Sequence, residues 1–161
     1  MNVVKLPKDP GKFSFGATSA TVTSLGLIVG LLEGSNARAS IIGALLLIAV
    51  ADNIADSLGF HIYRESASSQ PENVRIFTFS NFIIRFAIAG LFVLLFAFFP
   101  LQIAALSCIV LGLGVLIFLS YLIGVHRKTN CLREILIHVG VSIPVILVSH
   151  FLGQLIFGLF G

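Results

Sequence analysis

The sequence predicts an all-α, polytopic membrane protein with five transmembrane helices, and three observations carry that prediction. Of 161 residues, 57% are hydrophobic and 11% charged, against roughly 25% charged in an ordinary soluble domain. The apolar residues gather into five runs, each near the roughly 20 residues a helix needs to cross a ~30 Å hydrocarbon layer. Basic residues collect in alternate connections. Lys5, Lys8 and Lys12 precede the first run, Arg64 and Arg75 flank the connection between the second and third, and Arg127, Lys128 and Arg133 separate the fourth from the fifth. The opposite connections hold only Arg38. This asymmetry predicts a cytoplasmic N-terminus and a C-terminus on the far side. The net charge of +3 thus orients the chain against the lipid bilayer, and nucleic acid is not an expected partner.

The length suits one transmembrane domain over residues 1–161 and excludes a large two-domain enzyme. NVVKLPKDPGK, ahead of the first run, is too polar and too rich in Pro and Gly for a signal-peptide core, so that run is expected to be retained. Cys108 within an apolar run and Cys131 in a basic connection read as free thiols.

The expected spans are 15–32, 41–63, 76–98, 101–125 and 132–159. EGSNARAS is a short polar turn after the first. The second meets no Pro or Gly pair and is expected to stay helical to Tyr63. In RESASSQPENVR, Pro71 marks a helix start or turn. Pro100 links the third and fourth spans so tightly that they must be antiparallel neighbours. HRKTNC returns the chain to the fifth span, which Pro144 is expected to kink. Along the first span, Gly16, Ser19, Thr23, Gly26 and Gly30 fall on or near one side, where small side chains let a neighbouring helix approach or line a permeation path.

Asp52 and Asp56 need a reason, because ionisable groups at membrane depth are costly and face a bundle interior or a wet cavity. Four residues apart, they share one helical face. Together they are candidate hard-oxygen ligands for a divalent cation, or proton acceptors. Asn53 adds a carbonyl oxygen if its flank packs inward. Arg85, near the middle of the third span, offers the competing reading of a structural ion pair, a gate, or a counter-charge for an anionic solute. His138 and Ser142 share a face of the fifth span, and His150 and Gln154 another; each imidazole is expected to be a hydrogen-bonded interior or interfacial group. His61 and His126 sit at headgroup level, as do Tyr63 and Tyr121. Glu33 is either a surface partner of Arg38 or an entrance carboxylate. The sequence has no P-loop, HExxH or CxxC, and no enzymatic activity is expected.

Two stretches resemble the vacuolar iron transporter family, which includes the cross-complementer iron and manganese transporters. GATSATVTSLGLIVG, residues 16–30, is similar to the family's first-span motif, Gly-Ala-Asn-Asp-Gly followed by an apolar residue, Val, Thr, Thr and Leu-Gly-Leu. AVADNIADS followed by HIYRES is similar to its second-span pattern, Ala-Leu-Ser-Met-Ala-x-Gly-Glu-Tyr with a polar Gln-Arg beyond. NCLREILIHVGVSIPVILVSHFLGQLIFG resembles the closing segment. Ser19 stands where the family has its ion-path Asp, Asp52 where it has Met, and Asp56 where it has Glu. The resemblance implies a homodimer with its ion path near the twofold interface, in a prokaryotic inner membrane. Fe²⁺ or Mn²⁺ would be cargo, exported from the cytoplasm in exchange for protons, and no cofactor would be permanently bound. Asp52 and Asp56 would bind metal, with Ser19, Thr23 and Asn53 along the route. RESASSQPEN is too short for the glutamate-rich cytoplasmic domain of some members. Two rival readings remain: a non-metal transporter using Arg85 for an anion, and a non-transporting membrane scaffold.

Overall fold

The computed structural model describes residues 11–67 and 71–160. Lys5 and Lys8 lie outside the described residues, as do the side chains of Lys12, Arg64 and Glu72. Among the described residues all regular structure is helical: α1 (Gly11–Leu31), α2 (Ala37–Leu47), a π-helical turn (Ile48–Asp52), α3 (Asn53–Ala67), α4 (Pro71–Phe98), α5 (Leu101–Arg127) and α6 (Cys131–Phe160). The segment Ala37–Tyr63 runs through α2, the π turn and most of α3. With the other four helices it gives five helices long and apolar enough to cross a membrane.

The helices outrun the expected spans. The second begins at Ala37 rather than Ile41, because the turn after α1 closes quickly: Gly34 N–H bonds to Leu31 O and Ala37 N–H to Gly34 O. Pro71 opens α4, as its fixed φ and missing N–H suit a first helical residue. Pro100 precedes α5, and Arg38 Nη2 reaches across to donate to Phe99 O at 2.9 Å. Arg38 thus satisfies a carbonyl at the end of α4, and among the described residues it forms no ion pair with Glu33. At the other end of the bundle α5 stops at Lys128, whose left-handed backbone (φ 55°) releases its own N–H to Val125 O. Asn130 Oδ1 then accepts from the N–H groups of Leu132 and Arg133 and caps α6. α6 continues as one helix through Pro144.

α1 is the central helix, packed on α2, α4, α5 and α6. Half of its apolar window is buried, against 6% for α6, which lies on the outside. The small residues of α1 do not form one packing face. Gly16 abuts Asn81 and Ile84 of α4, while Gly26 and Gly30 meet Ser149 of α6. Thr23, between them, is exposed. The closest approach is Gly153 on Gly30: a Cβ on Gly153 would overlap the Gly30 carbonyl.

Two layers divide the interior. Toward the Pro100 end, Leu25, Ile28, Ile41, Leu45, Phe92, Phe96 and Cys108 make an apolar core. Toward the other end, α3 and α4 bury Asn53, Ser57, Asn81 and Arg85.

Candidate functional site: a guanidinium between two carboxylates

The π turn ends at Asp52, and the site begins there. Buried positions along the second span recur every fourth residue: Ala37, Ile41, Leu45, Ala49, Asn53 and Ser57. In an α-helix of 3.6 residues per turn, a four-residue step drifts by about 40° each time. A wider turn absorbs an extra residue and so limits that drift. The π turn therefore keeps Asn53 and Ser57 facing α4, and Asp52 and Asp56 come with them at the edge of the contact.

Asn53 is buried, with its Nδ2 donating to Phe82 O of α4 at 3.0 Å and lying 3.4 Å from Ala49 O. Its Oδ1 accepts from Ser57 Oγ at 3.4 Å, and Asn81 Nδ2 in turn reaches Ser57 Oγ at 3.5 Å. These bonds form a polar ladder joining α3 to α4. The flank of Asn53 does pack inward, but its carbonyl oxygen is spent on Ser57 and not on the carboxylates.

Arg85 is the largest of the fully buried side chains, 1% exposed. Its Nη2 donates to Asp52 Oδ2 at 2.6 Å, and its Nη1 lies 2.7 Å from Asp56 Oδ2. The second contact is close but not aligned as a hydrogen bond, and Nε has no acceptor. The ion-pair reading therefore holds for both carboxylates, not for one of them. The carboxylates themselves are not sealed in: the Asp52 side chain is 43% exposed and that of Asp56 37%. Ser19 of α1 completes the group by donating to Asp56 Oδ2 at 3.2 Å. One turn toward the N-terminus Phe15 stacks on Phe60, with centroids 5.3 Å apart, and holds α1 against α3.

The structure thus brings together Ser19, Asp52, Asp56 and Arg85. It leaves Thr23 on the open face of α1 and turns Asn53 into the α3–α4 ladder. Among the described residues no group of three or more His, Cys, Asp and Glu side chains is gathered as a metal site. His61 is engaged by Thr78 (3.2 Å) and lies 3.9 Å from Glu65. His138 Nδ1 lies 2.9 Å from Ser120 Oγ, a pairing between α6 and α5 that no residue spacing signals.

Two opposed carboxylates on one guanidinium form a cluster with one negative charge in excess. It can hold a cation or accept a proton at its open edge, and it can gate access when Arg85 lets go of either partner. No protein-family model, curated protein or solved structure matches this chain.

Proposed function

We propose that the chain is a homodimeric membrane transporter that carries a divalent cation of the iron or manganese class out of the cytoplasm in exchange for protons. One observation supports this above the rest: the surplus negative charge of the Asp52–Arg85–Asp56 cluster lies mid-span on half-exposed side chains. Hydrocarbon is an expensive neighbour for it. A second copy packed on the same α1–α3 face would replace lipid with protein and water. It would also set a second cluster opposite the first, so that two surplus charges match one divalent cation. Carboxylate and hydroxyl oxygens suit Mn²⁺ and Fe²⁺ as hard donors. Ser19, at the position of the resembled family's first-span Asp, touches Asp56. That contact sets the first-span position beside the carboxylate that stands where the family has Glu. Arg75, Arg127, Lys128 and Arg133 at one end of the bundle, with Arg38 alone at the other, support a cytoplasmic side there, and export is what the resembled family implies. A prokaryotic inner membrane belongs to the same reading.

Use of Arg85 for an anionic solute draws no support, since both terminal nitrogens of this buried group already face carboxylates. The scaffold reading has one observation in its favour: the cluster is largely complete as it stands, with each carboxylate on Arg85. Flux separates the two. Proteoliposomes holding the protein should accumulate Mn²⁺ or Fe²⁺ against a proton counterflow. Asp56→Asn and Asp52→Asn should each cut that flux by roughly tenfold or more while the protein stays assembled. No movement of manganese, iron, cobalt or magnesium by the wild-type chain would leave the scaffold as the better account.

A further inference from the structure

Ser19 faces two ways. Its hydroxyl donates to Asp56 Oδ2 at 3.2 Å, and it also lines a cleft of about 390 Å³ with Ser14, Phe15, Thr18, Ile123 and His138. The cleft lies between α1, α5 and α6, toward the end of the bundle where Lys128 joins α5 to α6. A water molecule fills roughly 30 Å³ of liquid, so several fit, and the hydroxyls and imidazole give them partners.

The protonation of His138 follows from its neighbours. Ser120 Oγ donates to Leu116 O at 2.6 Å and lies 2.9 Å from His138 Nδ1. A hydroxyl has one proton and two lone pairs. With that proton committed to the carbonyl, Nδ1 is the donor to Ser120, and the lone pair of the neutral ring is at Nε2. Among the described residues no hydrogen bond occupies Nε2. Among the described residues no charged side chain lines the cleft: α1 presents Ser14, Phe15, Thr18 and Ser19, and α5 presents Ile123, with buried Ser120 bonded to His138 behind it. Glu134, one turn before His138 on α6, is held by Thr129 and lies 4.0 Å from Arg127.

We propose that this cleft is a proton path from Asp56 to the Lys128 end of the bundle, with His138 as the group that releases the proton there. It rests on the transport reading above and supplies its proton arm. A protonated Asp56 hands its proton to Ser19 Oγ, which passes its own hydroxyl proton to water in the cleft. His138 Nε2 binds that proton and releases it to water at the Lys128 end. Each transfer breaks one bond to hydrogen and makes another, and no electron moves. The ionised Asp56 returns to Arg85, so the cluster regains its surplus charge.

Two measurements test the path. Imidazole ¹⁵N shifts of the histidine-labelled protein in nanodiscs should show neutral His138 protonated on Nδ1, and Ser120→Ala should shift the ring toward Nε2–H. An Nε2–H ring in the wild type overturns the assignment. Proteoliposomes with an internal pH dye and a Mn²⁺ gradient should show proton flux that falls roughly tenfold or more in His138→Gln and in Ser19→Ala. Folded variants with unchanged proton flux overturn the path. If Mn²⁺ still moves while proton flux ignores His138, the path fails and the transport reading stands. If Mn²⁺ never moves but proton flux still depends on His138 and Ser19, the transport reading fails and the path stands.

Discussion

At the scale of single residues, Arg85 decides whether the polar layer is a liability or a site. It is buried to 1% exposure and meets both carboxylates, so its loss strands two negative charges at mid-span. Removing one partner of a buried ion pair costs about 3–5 kcal/mol, whereas replacing the whole group with apolar residues of similar size is often neutral. Arg85→Leu should therefore destabilise the detergent-solubilised protein by about that amount in denaturant unfolding. The triple variant Asp52→Leu, Asp56→Leu, Arg85→Leu should recover most of the loss and carry no cation flux. A triple variant as unstable as the single one would mean that Arg85 matters through its shape and not its charge. Sequence reasoning reached the pairing but not its form. Asp52 and Asp56 share a face by spacing alone, while the reach of one guanidinium to both depends on how α3 is rotated against α4. Ser19 was legible as a candidate by its spacing along the first span, yet its bond to Asp56 joins positions 37 apart in the chain, beyond any periodicity.

Among the helices, the departure from sequence expectation is the π turn over Ile48–Asp52. IAVAD contains neither Pro nor Gly, so no breaker marks it. The mark is the four-residue recurrence of buried positions from Ala37 to Ser57, which a uniform α-helix would rotate out of the contact with α4. Read as apolar periodicity, that stretch gives one long helix, and its extent was legible while its internal register was not. A π turn holds one residue more than the α turn it replaces. Deleting exposed Val50 should let the segment close as α-helix with both flanks still facing α4, costing no more than about 1–2 kcal/mol. Deleting Phe86, also exposed but in a helix with no residue to spare, should rotate the two parts of α4 by about 100° against each other. That second deletion should abolish assembly, measured by size-exclusion chromatography and circular dichroism. Equal tolerance of both deletions would show that the π turn does not set the register of the carboxylates.

For the whole molecule, the balance is between a largely apolar surface and the charged stretch of the α1–α3 face. α6 exposes Leu136, Val141, Leu147, Val148, Phe151 and Leu155, which lipid covers without cost. The α1–α3 face presents Asp52, Asp56 and Ser19, with Thr23 exposed on α1, and lipid covers these badly. Two copies that bury this face against each other exchange lipid for a shared polar seam, while two copies joined through α6 would gain packing but leave the charges in hydrocarbon. Thr23→Cys, in a chain also carrying Cys108→Ala and Cys131→Ser, should therefore cross-link into dimers when membranes are oxidised. Val148→Cys in the same background should stay monomeric. Asp52→Leu, Asp56→Leu and Arg85→Leu together should weaken the Thr23 cross-link, because the triple variant no longer penalises lipid contact. Cross-linking through position 148 and not 23 would place the charged face in lipid or water rather than at a subunit junction. It would remove the pairing of surplus charges from which a divalent cargo is inferred.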